Sequence, residues 1–229
     1  MYKDRAVRSP RQDLHLHSDY SDSIATVSQL VERAARAGLG VIAITDHFWP
    51  SLGSRREGID LIISRRQLIE EARHESPSVT VLDGAEIDVA LDGSLAPVAG
   101  GMEQFDLIIA SVHFKCDSST WASAIVKLLR NNAPHILGHW DASLTSYNAE
   151  DGERVASALA EKMVAVELSL RYPSQHDEFL QAARDQGCLF SLGSDSHTAN
   201  TVGQLHEQAK LADALGLPLL NPLKRRRHE

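Results

Sequence analysis

The sequence predicts an α/β fold, read from its residues as a closed barrel of parallel strands, with an open doubly wound sheet as the alternative. Three observations carry this. Short apolar runs alternate with longer amphipathic segments about seven times. The runs are short and bounded by Gly or polar residues, as buried parallel strands are. Nearly every run ends in His, Asp or Glu, and barrels collect function at the C-terminal ends of their strands.

Taken in order, residues 13–17 (DLHLH) alternate and read as the first strand. Residues 26–37 carry apolar positions at helical spacing, with Thr26 and Gln29 as a capping box and Gly38 as the stop. Residues 39–45 (LGVIAIT) form the second strand. Residues 59–74 read as a helix and 79–87 as a strand. Residues 105–112 (FDLIIASV) are another strand, followed by a helix over 119–131. A short strand at 136–138, a helix at 150–162 and a strand at 164–168 come next. A helix at 175–186, a strand at 188–193 and a last helix at 201–215 complete the pattern. No long linker, repeat or low-complexity block interrupts it, so residues 1–229 read as one domain. The tail, 222–229, is basic and reads as a solvated terminus.

Composition narrows the function classes. Hydrophobic residues make up 43% and aromatics only 5%, so the core must be built from Leu, Ile, Val and Ala. A formal net charge of −8 argues against broad nucleic-acid binding, while leaving room for a local basic pocket. Cys116 and Cys188 lie far apart without a CxxC, and are expected as free thiols rather than zinc ligands. The polar first residues lack a signal-peptide pattern and no apolar run approaches membrane-span length. A cytoplasmic protein with no membrane partner is the expectation.

The 11 histidines are the unusual feature. The first strand ends in His15-Leu16-His17, and residues i and i+2 of a strand share a face. Later strands end in Asp46-His47, Glu86, His113, His139 and Asp195-Ser196-His197, and the sixth carries Glu167. A lone His at a strand end is usually an ordinary structural residue. Their joint placement at one end of successive strands is not ordinary. Clustered carboxylates need a counter-charge, which metal ions supply. Imidazole and carboxylate donors suit Zn²⁺, Mn²⁺ or Fe²⁺ rather than Ca²⁺. There are more donors than one ion takes, so two or three divalent ions and a bridging carboxylate follow. His74, His135, His176, His206 and His228 fall elsewhere and read as structural or exposed.

In order, the runs HLHSDYSDS, AITDH, GAEID, ASVHF, ILGHWD and SLGSDSH resemble the successive motifs of the PHP (polymerase and histidinol phosphatase) superfamily, over about residues 13–203. The run GAEIDVALDGSL with FDLIIASVH is more similar to stand-alone PHP phosphoesterases, and to the PHP domain of bacterial family-X DNA polymerases, than to the longer histidinol phosphatases. The resemblance implies a distorted TIM-like (β/α)7 barrel with up to three metal ions. It implies nine ligands: His15, His17, Asp22, His47, Glu86, His113, His139, Asp195 and His197. It groups His15, His17, Glu86 and Asp195 on one ion, Glu86, His113 and His139 on a second, and Asp22, His47 and His197 on a third. Glu86, as the bridging ligand that positions hydroxide, and Asp195 take the catalytic roles. Asp46 and Glu167 are expected to orient ligands or water from behind. Two positions depart from the family's pattern, Ser23 for Gly and Trp140 for Pro. Trp140 is expected to narrow the pocket.

The activity implied is hydrolysis of a phosphorylated small molecule, a monoester, by a metal-activated hydroxide. Ser111, Ser194 and Ser196 are read as packing residues rather than nucleophiles. Lys115, Arg55, Arg56 and Arg171 follow strand ends and are candidates for phosphate contacts. The alternatives are a phosphodiesterase or 3′-end exonuclease, a noncatalytic metal-binding module, and a hydrolase of C–N or C–O bonds.

Overall fold

A computed structural model describes residues 11–223 of the chain. Seven strands pair in parallel in chain order. They are β1 (Gln12–Leu16), β2 (Val41–Ile44), β3 (Thr80–Asp88), β4 (Leu107–Ser111), β5 (Ile136–Gly138), β6 (Ala165–Ser169) and β7 (Phe190–Gly193). Six α-helices are described: α1 (Val27–Arg36), α2 (Ile59–Glu75), α3 (Ser118–Asn131), α4 (Ala149–Glu161), α5 (Asp177–Asp185) and α6 (His206–Leu215).

The alternative of an open sheet is settled by the contact between β1 and β7. At the upper end of this seam the His17 N–H donates to Ser196 O at 2.9 Å, and Leu16 bridges Ser196 in parallel. At the lower end the chain's last described segment fills the gap. Phe190 N–H donates to Pro218 O and Leu220 N–H to Phe190 O, while the Gln12 side chain donates to Leu220 O. The barrel is therefore distorted and nearly closed, as expected. It departs from strict alternation once: β3 passes to β4 through residues 89–106 without an α-helix, carrying only an antiparallel bridge between Val89 and Leu95.

The inner faces of the strands explain where the polar layer sits. On β3 the positions Leu82, Gly84, Glu86 and Asp88 share one side; on β4 so do Leu107, Ile109 and Ser111. The lower positions join Leu14, Ala43, Ile136 and Leu220 in one buried apolar cluster. The upper positions are polar. An apolar floor thus excludes water beneath a polar mouth.

Local signals set several boundaries. Thr26 and Gln29 make the reciprocal capping box that starts α1. The last helix differs from the single run expected over 201–215. A 3-10 turn (Ala199–Thr201) comes first, and α6 begins only at His206. Gly203, at φ +75°, breaks the run, and its N–H is taken by Asp13 Oδ2 at 2.9 Å. Cys116 and Cys188 are buried free thiols. No helix among the described residues is long and apolar enough to cross a membrane. The basic run at 224–227 and His228 lie outside the described residues.

Candidate metal centre

All nine side chains named from the resemblance meet at the upper end of the barrel, around Glu86. Its carboxylate is almost wholly buried and faces five imidazoles. Oε2 lies 3.0 Å from His15 Nε2, 3.2 Å from His17 Nε2 and 3.3 Å from His47 Nε2. Oε1 lies 2.8 Å from His139 Nε2 and 3.5 Å from His113 Nε2. The two oxygens of one carboxylate thus serve two different sets of nitrogens. Asp195 Oδ1 adds to the first set, 3.2 Å from His17 Nε2. Asp22 Oδ2 sits 3.2 Å from His197 Nε2.

Donor atoms converge within 4.8 Å of one another in three groups: His15, His17, Glu86 and Asp195; Glu86, His113 and His139; and His17, Asp22 and His197. The first two groups coincide with those expected. The third differs, because His17 takes the place expected of His47. His47 Nε2 is 3.9 Å from Asp22 and closer to Glu86.

These residues fit metal ions on two grounds. The donor set mixes imidazole with carboxylate, as Zn²⁺, Mn²⁺ and Fe²⁺ sites do. Several donors are also buried without any hydrogen-bond partner: both ring nitrogens of His17, His47 Nδ1, His139 Nδ1 and Asp22 Oδ1. Buried polar atoms without partners are costly, and an ion relieves that cost.

The charges reinforce one another. Burial works to raise the Glu86 carboxyl, yet His15 and His47 beside it hold it well below the usual range. Burial works to lower His17, and the Asp195 and Glu86 carboxylates 3.2 Å from its Nε2 raise it to about 9. His113 rises to about 10 against burial, through Asp88 and Glu86. Burial dominates at His47, which falls to about 4.

The backbone bends to deliver these groups. Asp195 has φ +52°, a left-handed conformation that Asp tolerates better than most residues. Such geometry costs on the order of 1–3 kcal/mol and persists only where its surroundings impose it.

Behind the cluster, Glu167 Oε1 lies 2.7 Å from His15 Nδ1, and Oε2 accepts the His139 N–H at 2.7 Å. Asp46 does not touch an imidazole. It accepts from Ser18 N, Ser18 Oγ and Ser21 Oγ at 2.6–2.7 Å, and so holds the loop that leads to Asp22. Two partners were not anticipated from the sequence. Asp88 Oδ1 lies 2.8 Å from His113 Nδ1. Its signal was its i+2 spacing from Glu86. Arg65 of α2 is fully buried, with Nη1 3.1 Å from Asp46 Oδ2. Its signal was its place on the apolar stripe of the helix.

A cavity of about 170 Å³ opens onto the cluster, lined beyond the metal-type residues by Leu52, Gly53, Arg171 and Tyr172. Among the four candidate cations, Arg171 alone lines it, with its guanidinium against the His197 ring. Arg55 is exposed and donates to Ser23 O at 3.1 Å, and Arg56 and Lys115 point to solvent outside the cavity lining. Trp140 also departs from expectation. It is buried among Trp121, Tyr147 and Phe179 and does not line the cavity. Ser194 and Ser196 hydrogen-bond each other at 2.8 Å, and Ser196 reaches Thr201. A larger cavity, about 580 Å³, lies at the opposite end of the barrel, between Leu82, Phe105, Leu107 and Leu220, with none of the clustered imidazoles.

The ordered motifs and this geometry agree with comparison to known proteins. A family model described as the PHP domain matches residues 13–171. The chain belongs to the PHP family. One relative of this PHP protein, "Probable phosphatase YcdX" of Escherichia coli (strain K12), is 30% identical over 233 residues, covering 93% of this chain and 91% of that one. The protein of the same name from Shigella flexneri is 30% identical over 223 residues, covering 90% and 86%. Among solved structures, histidinol phosphate phosphatase from Lactococcus lactis, complexed with zinc, L-histidinol and phosphate, superposes with a TM-score of 0.69 at 19% identity. That match covers 92% of this chain and 95% of that one. A histidinol phosphatase described as putative, from Listeria monocytogenes, gives 0.68 at 12% identity, covering 86% and 99%. These two likenesses establish the shared fold of the PHP protein.

Proposed function

We propose that this PHP protein is a metal-dependent phosphoesterase that hydrolyses a small-molecule phosphate monoester at a site for two or three divalent ions. The observation that carries the reading is the division of labour at Glu86, whose two oxygens face separate imidazole sets. A carboxylate so placed suits a bridge between neighbouring ions. The phosphatase names of its 30%-identical relatives support the reaction class, and the zinc in the Lactococcus lactis structure supports zinc among the candidate metals.

When bound, divalent ions supply an activated water and neutralise charge on phosphoryl oxygens. The chain's own residues do the rest. His15 Nδ1–H donates a hydrogen bond to Glu167 Oε1, which leaves the Nε2 lone pair facing inward. Arg171 at the mouth is the cation set to receive the phosphoryl group by charge-assisted hydrogen bonds. Ser194 and Ser196 are engaged with each other, which leaves neither of the two set up as a nucleophile. The cavity's small volume favours a small monoester over a polynucleotide strand.

Two measurements test this together. Metal analysis of protein purified without chelator should find two or three ions per chain. Turnover of p-nitrophenyl phosphate should exceed that of the bis ester, in the presence of Zn²⁺ or Mn²⁺. Glu86→Ala should remove both metal and turnover. Fewer than two ions, with neither ester cleaved, sinks the reading and leaves the binding-module alternative. Faster cleavage of the bis ester replaces monoester with diester.

A further inference from the structure

Asp88 ends the inward face of β3, two residues beyond Glu86. Its two oxygens are used by different parts of the molecule. Oδ1 lies 2.8 Å from His113 Nδ1. Oδ2 accepts the backbone N–H of Leu52 at 2.8 Å. Its own N–H donates to Ser51 Oγ at 3.2 Å. The strap 51–53 is thus tied to β3 at two points. Gly53 brings the strap down on the other side of the cluster. At φ +86°, a Cβ there would lie 2.4 Å from His47 Cδ2 and 2.9 Å from Asp22 Oδ2, so only glycine permits the approach. The result is that Leu52, 61% exposed, is held at the cavity mouth. Tyr172 lines the same mouth, its ring 5.0 Å from that of His139.

We propose that Asp88 is a positioning residue that couples the hold on His113 to the placement of Leu52, so that one carboxylate governs both an ion position and the choice of leaving group. The substrate class follows from the wall it builds, and rests on the phosphoesterase reading above. The leaving alcohol has an apolar or aromatic edge, taken between Leu52 and Tyr172 while Arg171 faces the phosphoryl group. An apolar edge would cover the exposed Leu52 side chain and take that surface out of water, which a polyol would not. Both donors to Asp88 need an acceptor. An amide has one oxygen to offer, and its nitrogen accepts nothing.

Three proteins separate the outcomes: the unaltered chain, Asp88→Asn and Leu52→Ser. Zn²⁺ titrated calorimetrically into chelator-stripped protein reads ion affinity without reference to turnover. The ratio of kcat/KM for benzyl phosphate to that for glycerol 3-phosphate, two alkyl esters, reads the wall. The unaltered protein should favour benzyl phosphate. Leu52→Ser should lower the ratio about tenfold, the scale of a lost apolar pocket contact, with ion affinities unchanged. Asp88→Asn should lower the ratio and also weaken one ion about 10–100-fold. Preference for glycerol 3-phosphate by the unaltered protein overturns the substrate class. Asp88→Asn with either readout unchanged overturns the coupling. If Asp88→Asn does not fold, Leu52→Ser still decides the wall, because its side chain is exposed. If no phosphate ester is cleaved by the loaded, unaltered protein, the phosphoesterase reading fails, and the titration alone decides the hold on His113.

Discussion

Glu167 occupies a slot that Gly193 leaves open. A Cβ on Gly193 of β7 would lie 2.0 Å from Glu167 Oε1 and 2.7 Å from His15 Cβ. Gly193→Ala must therefore push Glu167 off His15, or His15 off the cluster. The expected outcome is a loss of about 1–3 kcal/mol in denaturant unfolding and a 10–100-fold weaker ion affinity by titration. An unchanged affinity would mean that Glu167 does not orient His15. Glu167→Gln keeps the volume but sets an amide N–H against either His15 Nδ1–H or the His139 N–H, so it should weaken the ion and also cost about 1–3 kcal/mol of stability. Eight of the nine donors were legible because a strand end places its His, Asp or Glu at the mouth whatever surrounds it; Asp22, in the loop after β1, came only from the resemblance. What lies behind them was not. Asp88 reads as one more acidic residue until β4 brings His113 to it. Trp140 follows a site histidine in sequence, yet its ring turns into the packing between helices. Sequence adjacency says nothing about which side of the wall a side chain takes.

Among the elements, α2 does more than cover the sheet. Arg65 Nη1 meets Ile44 O and Asp46 Oδ2, each at 3.1 Å, while Nη2 meets Gly84 O at 2.9 Å and the Asp83 carboxylate. Asp46 then holds Ser18 and Ser21, so the helix is wired through two buried charges to the loop bearing Asp22. Arg65→Met leaves Asp46 without its guanidinium partner, while Asp83 keeps Arg66 at 2.6 Å. Breaking such a buried pair costs about 3–5 kcal/mol, and chemical denaturation should show that loss. Arg65→Lys should not restore it, because a point charge lacks the two-pronged reach. A loss under 1 kcal/mol would show that water takes over the role. Burial works to raise the Asp46 carboxyl, but Arg65 and His17 hold it below its ordinary value of 3.8. A depressed carboxyl contributes stability above its unfolded value and loses it as pH falls, so this wiring should fail on acidification below about pH 4. The helix was legible from periodicity, and Leu61, Arg65, Ile69 and Ala72 on one face already marked an arginine among core residues. Its partners come from β2 and β3, and only the fold supplies them. The break at Gly203 was hidden likewise, since the Asp13 that receives its N–H lies 190 residues away.

At the scale of the whole molecule, the alternation of strands and helices and its number of units already suggested a closed barrel, although an open sheet shares the same local pattern. Closure depends on β1 meeting β7, which residue periodicity does not report. The pooled charge of the closed mouth yields a further prediction. In ion-free protein His17 and His113 hold protons at neutral pH, with values of about 9 and about 10. Both folded values exceed the unfolded value near 6.5. Their contribution to stability is thus full below pH 6.5 and lost as pH rises through 9 and 10. Ion-free protein should melt at lower temperature from pH 7 to 10, and loaded protein should resist. Ion binding should release protons at pH 7, seen as a heat that varies with the buffer's ionisation enthalpy. No buffer dependence would refute those values. The seam has a consequence of its own. Its upper half is His17 N–H to Ser196 O, so the backbone that shuts the barrel flanks His15, His17, Asp195 and His197. Ions there would act as a rivet across the join. Breathing of the barrel and escape of the ions become one event, and amide hydrogen exchange at His17 and Ser196 should slow in step with loading, ahead of the outer helices.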